Sequence, residues 1–251
     1  MTFKNPESSH AHSLPVLNLL YQYDSFLDSL EVIADYGCGA GHDINWWATL
    51  TTRDDPPEPR NYLCYAVDKD ISRFEPEIAA LDNVKLIKAD FEGDRPVPRQ
   101  IDLLWCHDAF QYAVNPLSTL RIWNETMSIN GMLLLSVPQN VHYRYNRLAN
   151  ISPNGCYYNY NVVNLMYMLA VNGFDCRDAY FYKDENNMWL YTAVYKSDVA
   201  PMDPRNTSWY DLLDLNLLND SVKQSILKNG FVDQNDLVTT WLDRDFHFIK
   251  E

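Results

Sequence analysis

Residues that could do chemistry crowd the stretch from 32 to 43. An apolar run, Val32-Ile33-Ala34, leads into Asp35, and glycines follow at alternate positions, Gly37, Gly39 and Gly41, with Cys38 between the first two. Glycine lets a backbone turn sharply and approach a ligand closely, and a helix starting behind the turn offers amides that lack partners. Nicotinamide and flavin sites use a similar turn. Their GxGxxG spacing would put its third glycine at position 42, which is His42 here, so the spacing disfavours a dinucleotide. With no ligand, the stretch would be a tight strand-to-helix turn and nothing more.

Two more acids, Asp68 and Asp90, each end an apolar run. Asp is favoured in turns, so either alone would read as a cap. Both fall at the carboxyl ends of strands, where open α/β sheets bind ligands, and together they favour a binding role. His107 and Asp108 follow a further run and could exchange protons. A histidine at a strand end can equally pack its ring into the core. The stretch 139–160 is rich in Tyr, Asn and Arg. Its His142 reads more simply as an exposed loop residue. Its tyrosines could wall a pocket, and Arg144 or Arg147 could clamp an anion or be solvated.

These residues need elements to position them. The spacing predicts a helix over 14–30, a strand over 31–35 and a helix over 43–50. Three prolines make 53–60 a loop. Strands follow at 62–67, 84–89 and 101–106, then a helix at 116–129, a turn at Asn130-Gly131, and a strand at 132–137. A helix over 161–171 precedes a hairpin of 174–182 and 188–195. In the tail, Thr207, Ser208 and Ser221 are candidate N-caps and Gly230 a C-cap for helices over 209–218 and 221–228. This alternation predicts a doubly wound, Rossmann-like α/β fold: a seven-stranded, mostly parallel sheet closed by an antiparallel hairpin, with a helical C-terminal extension. The expected division is an N-terminal helical segment or lid at 1–30, a binding domain at 31–197 with an insertion at 139–160, and the extension at 198–251. Leu212, Leu213, Leu217 and Leu218 form a stripe expected to pack on the parent sheet, with a homodimer contact as the rival use.

Composition narrows the partners. In 251 residues the hydrophobic share is 47%, enough for a full globular core. Acids outnumber bases 34 to 20, for a net charge of −14, which disfavours nucleic acid as a partner. Nothing approaches the ~20 apolar residues that span a bilayer, and the first residues lack a signal-peptide pattern. The five cysteines are odd in number and include no CxxC pair. That suits reduced thiols in a cytoplasmic protein without a metal site.

In this order the pieces resemble the class I S-adenosylmethionine (SAM) dependent methyltransferases, especially the small-molecule group, over residues 30–195. The resemblance rests on Asp35-Tyr-Gly-Cys-Gly-Ala-Gly41, on Asp68, on Ala89-Asp90-Phe91, and on Ile101 to Asp108. It also rests on Ile129 to Pro138, where Asn130 stands in place of the usual proline, and on the closing hairpin. It implies SAM as cofactor. The Gly37, Cys38, Gly39 and Gly41 backbone would pack on its methionine moiety, and Asp35 would orient that turn or the amine. Asp68 would accept from the ribose hydroxyls and Asp90 from the adenine amine, with Phe91 beside the ring. His107 would contribute backbone. The acceptor would be a small molecule, methylated at O, N or C. Candidate bases are His107, Asp108 and His142, with Tyr112 and Tyr143 as orienting hydroxyls. The tetrad after the fourth strand, His107-Asp-Ala-Phe110, differs from that of base-methylating relatives. Two alternatives stay open: a non-catalytic subunit on this fold, and a SAM user that does not methylate.

Overall fold

A computed structural model describes residues 9–93, 95–138, 158, 160–184 and 189–237. Its strands are β1 (Val32–Tyr36), β2 (Leu63–Asp68), β3 (Val84–Lys88), β4 (Ile101–His107), β5 (Met127–Pro138), β6 (Phe174–Asp184) and β7 (Trp189–Lys196). They form one sheet in the order β3-β2-β1-β4-β5-β7-β6. The first five run parallel, and β7 lies antiparallel between β5 and β6. The sheet is the doubly wound, mostly parallel one predicted from the alternation of runs.

Helices cover both faces, which is why β1 is apolar or buried at every position rather than at every second one. On one face α1 (Ser9–Leu20), α2 (Asp24–Asp28) and α3 (His42–Ala48) lie over Ile33, Leu103 and Trp105, with Leu17, Leu20, Ile44 and Trp47 inserted between. The short α4 (Pro76–Ala79) adds Ile78. On the other face α5 (Pro116–Thr126) and α6 (Val162–Val171) cover Ala34, Leu104 and Cys106. Successive residues of a strand point to opposite faces, so β4 sends Trp105 and His107 toward α1 and Cys106 toward α5.

The structure departs from the expected elements in several places, and the helices expected over 116–129 and 209–218 end early, at Thr126 and Asp214. The helix over 14–30 is two helices. The chain tightens after Leu20, where the Gln22 and Tyr23 amides bond three residues back, and it restarts at Asp24. Asp24 and Asp28 then hold the guanidinium of Arg60, 3% exposed, which ties the proline-rich loop to α2. Asn130-Gly131 is a bulge inside β5 instead of a turn: from Ile101 to Leu103 on β4, β5 advances from Met127 to Met132. Asn130 takes a left-handed φ of 62°, and a side chain at Gly131 would meet backbone oxygens of Ile101 and Ser128 at 2.9 Å. The last helix, α8 (Asp220–Asn229), is capped by Asn219 rather than Ser221; Ser221 lies inside the helix and donates its amide to that side chain. Ser208 does cap α7 (Trp209–Asp214), and Gly230 ends α8 at φ 80°.

The leucine stripe of the tail packs inward. Leu212, Leu217 and Leu218 are buried in the cluster that holds α5, α6 and β4. None of the described helices is long and apolar enough to cross a membrane.

Candidate functional site

The glycine turn sits where β1 ends, flanked by the ends of β2 and β4. All three glycines have left-handed φ, 83° at Gly37, 54° at Gly39 and 90° at Gly41, a region that only glycine enters without strain. Their surroundings differ. A Cβ on Gly37 would lie 2.2 Å from that of Ala109, and one on Gly41 would strike the Phe74 ring at 2.6 Å. At Gly39 a Cβ would meet nothing within 4 Å. Two glycines are therefore required by packing, and the middle one faces open space.

The turn consumes its own amides. Gly37 and Cys38 donate to the Val67 carbonyl, Gly41 to Cys38, and Gly39 to the Asp68 carboxylate at 3.0 Å. Three carboxylates converge here. Asp35 is buried at the end of β1, and its carboxyl is held well above the usual range by burial first, then by the charges of Asp43 and Asp68. Asp43 is also buried, in the first turn of α3, and accepts from the Ser13 hydroxyl at 2.7 Å and from the Trp105 indole at 2.9 Å. The Cys38 thiol is pushed up by burial and by the Asp35 and Asp68 charges, so it is not a nucleophile. Such a place repels a phosphate and attracts a cation. The geometry agrees with the spacing in disfavouring a dinucleotide.

Asp68 ends β2 and also accepts from the Asp70 amide at 2.9 Å, so both of its oxygens cap backbone. Each carboxylate oxygen can accept a second bond. Asp90 is exposed and takes the Glu92 amide at 3.0 Å, an ordinary turn contact, with no hydrogen bond to its other oxygen among the described residues. Phe91 lies beside the turn, its ring edge 3.9 Å from where a Gly37 Cβ would stand. Trp123 donates to its carbonyl at 3.0 Å. Asp35, Gly37, Cys38, Gly39, Gly41, Asp68 and Phe91 are thus brought together, with Asp90 at the rim.

At the end of β4 the two candidate bases have different surroundings. The His107 ring is buried, stacked against Trp105 at 6.2 Å and Trp189 at 5.9 Å. It has the packed environment of a core histidine. Asp108 has a left-handed φ of 54°, a conformation rare for a non-glycine residue and frequent at functional sites. Burial pushes its carboxyl up to about 6, against an opposing hydrogen bond from the Gln111 amide. Gln111 is itself fully buried, and its carbonyl oxygen has no partner among the described residues. Tyr112 is half-buried on the same 3-10 turn, Phe110–Tyr112. His142, Tyr143, Arg144 and Arg147 lie outside the described residues.

Several groups here escape sequence reasoning. Asp43 looks like any acid in a first helical turn, and Gln111 carries no motif. Ser13 is separated from Asp43 by 30 positions.

No protein-family model matches the chain, and no curated protein does. Solved structures do. One is the N-methyltransferase NodS from Bradyrhizobium japonicum WM9, at TM-score 0.53 and 9% identity, over 77% of this chain and 100% of that one. A second is the magnesium protoporphyrin IX methyltransferase ChlM from Synechocystis PCC 6803 with bound S-adenosylhomocysteine (SAH), at 0.53 and 16%, over 75% and 84%. A third is an O-methyltransferase family protein from Burkholderia thailandensis, at 0.53 and 12%, over 74% and 56%. The chain has the class I methyltransferase fold.

Proposed function

We propose that this protein is a SAM-dependent methyltransferase acting on a small molecule. The observation that carries the reading is the acidic turn: three carboxylates, Asp35, Asp43 and Asp68, around a backbone that is open at Gly39. The residues present fit SAM, because the ammonium and sulfonium of its methionine end outweigh that end's one carboxylate and it carries no phosphate. The acidic net charge and the small-molecule group resembled in sequence support a metabolite over nucleic acid as acceptor.

In this reading the backbone of Gly37 to Gly41 lies against the methionine moiety, and Asp35 ionises to take the ammonium. Asp68 accepts the ribose hydroxyls with its spare lone pairs. Asp90 takes the adenine amine and Phe91 lies beside the ring, while His107 offers backbone near the methionine end. When bound, SAM would supply an electrophilic sulfonium methyl group for the acceptor's lone pair. Asp108 receives the acceptor's proton on a carboxylate oxygen, and Gln111 holds that carboxylate in place. A pKa near the working pH is what a general base needs, and burial provides it for Asp108. Tyr143 would orient the acceptor through its hydroxyl.

Calorimetry with SAM and SAH tests binding. Both are expected to bind, with Asp68→Ala weakening each at least about tenfold, the equivalent of ~1.4 kcal/mol. An unchanged affinity in that variant rules out the ribose role. Release of SAH in a screen of metabolite pools tests turnover. Binding without release in any pool would favour a non-catalytic subunit.

A further inference from the structure

Asp108 and Gln111 stand together just beyond the carboxyl end of β4. The Asp108 amide donates to both the carbonyl and the hydroxyl of Ser136 on β5, each at 3.3 Å. Those contacts hold Asp108 at its left-handed φ of 54°, a conformation that persists only where the surrounding structure enforces it. The Gln111 side-chain nitrogen donates to one oxygen of the half-buried Asp108 carboxylate.

What the pair leaves over is two acceptors and no donor. An ionised carboxylate can only accept, so it fixes the Gln111 amide with its nitrogen toward Asp108 and its oxygen turned away. That oxygen is buried and has no partner among the described residues. The second oxygen of Asp108 likewise receives no hydrogen bond among them. A buried acceptor left unmet is costly and rare, and a ligand that donates would satisfy it. The two vacancies are close. The nitrogen and oxygen of an amide are roughly 2.2 Å apart, so Gln111 Oε1 lies within about 5 Å of the Asp108 oxygen that its nitrogen meets. One tetrahedral nitrogen spans that gap with two hydrogen bonds of about 2.9 Å. A hydroxyl has a single hydrogen and can serve only one of the two acceptors.

Charge selects in the same direction. In the sequence no lysine or arginine stands between Trp105 and Pro116, or between Ala89 and Gly93. Glu92 is fastened to the same loop, its carboxylate accepting from the amides of Val114 at 2.7 Å and Asn115 at 3.1 Å. A cation entering here gains an attraction that a neutral or anionic molecule does not. The net charge of −14 steers it inward.

We propose that Asp108 and Gln111 together seat the acceptor's nucleophile, and that the acceptor is a primary amine arriving as its ammonium. The assignment rests on the methyltransferase reading above and narrows its acceptor to nitrogen. One N–H bond points to each vacant oxygen. The ammonium then passes a proton to Asp108: an N–H bond breaks, an O–H bond forms, and the electron pair stays on nitrogen as the lone pair that methyl transfer needs.

Benzylamine and butylamine serve as probes, titrated by calorimetry at pH 8 into the full chain saturated with SAH. Each is compared with its alcohol, which is neutral, and with its N,N-dimethyl counterpart, which keeps the charge but has one N–H. At least one primary amine is expected to bind saturably, at least about tenfold tighter than both of its counterparts. Gln111→Met, similar in length but without the carbonyl, should weaken that amine about tenfold and bring it within about twofold of the dimethyl form. The probe comparison on the unaltered chain decides the matter if that variant fails to fold. The proposal is overturned if neither amine binds saturably, or if the alcohol or the dimethyl form binds as tightly. Indifference of amine binding to Gln111→Met also overturns it. Failure of SAH to bind would instead remove the methyltransferase reading, and the same titrations on the SAH-free chain would still decide whether the pair holds an amine.

Discussion

The two ends of the candidate site are built in opposite ways. The cofactor end is backbone and carboxylate, and Asp35 to Asp43 span nine consecutive positions, with Asp68 a strand away. The other end, under α1, is walled mostly by aromatic and apolar side chains, drawn from α1, β4, β5, β6 and β7. In the proposed reading one end would recognise charge and close approach. The other would recognise shape, and its walls come from separate segments. Specificity is therefore expected to change more readily at the second end.

The largest effects should fall on Asp108, the proposed base between the two. Asp108→Asn is expected to lower kcat by about 10²- to 10⁴-fold, with SAH affinity changed less than about threefold. The base must be ionised, so kcat/KM in the unmodified chain should rise with pH through about 6. The Gln111 amide favours the ionised form, so Gln111→Leu should move that limb to higher pH. A limb that stays put in Gln111→Leu would show that some other group titrates.

The glycines sharpen the comparison within the cofactor end. Gly37→Ala puts a methyl group 2.2 Å from Ala109, on top of a left-handed strain of roughly 1–2 kcal/mol. It should lose both thermal stability and SAH binding. Gly39→Ala carries similar strain but meets no atom. It should lose SAH affinity by about tenfold with a much smaller fall in Tm. Equal losses of Tm in the two variants would mean that Gly39 is there for packing and not for a ligand.

How much could be read from the sequence follows the same division. The glycine turn was legible because its chemistry and spacing are local, and the apolar runs behind Asp35, Asp68 and His107 are the strands β1, β2 and β4. The sheet and closing hairpin followed from the alternation of runs. What stayed hidden depends on contacts between distant positions. Ser13 and Trp105 each meet Asp43 only once the sheet is ordered. Asn130-Gly131 has the composition of a turn, yet its neighbours pair with β4 on both sides and hold it as a bulge. The ring of His107 was divisible between base and core from sequence, because the rings that cover it, Trp105 and Trp189, meet only once β4 and β7 share the sheet.

A smaller effect comes from pH at the cofactor end. The folded-state pKa of Asp35 is raised by burial, so its contribution to stability is complete below about pH 4 and is lost as pH rises through the raised value. The ligand-free Asp35→Asn variant should therefore melt above the unmodified chain at pH 8, with the gap closing toward pH 4. A bound ammonium favours the ionised carboxylate. SAH binding should accordingly release a proton, seen as a dependence of calorimetric heat on the buffer's ionisation enthalpy, and Asp35→Asn should abolish that release and weaken SAH. Proton release that survives the substitution would assign it to a neighbouring carboxyl.

The smallest effect tests whether the two ends are separable at all. Asp43 belongs to both: it stands close enough to Asp35 to raise its pKa, and it accepts from Trp105 of the second end's wall and from Ser13 of the helix above it. Ser13→Ala removes one donor to a buried carboxylate, a loss of about 1–2 kcal/mol that lowers Tm by a few degrees. The glycine turn keeps every hydrogen bond described for it, whereas α1 loses its polar anchor. SAH affinity should then change less than about threefold, because the loosened helix is a wall of the second end only. If calorimetry finds SAH weakened further than that, Asp43 transmits the change from α1 into the turn, and the two ends are one cooperative unit.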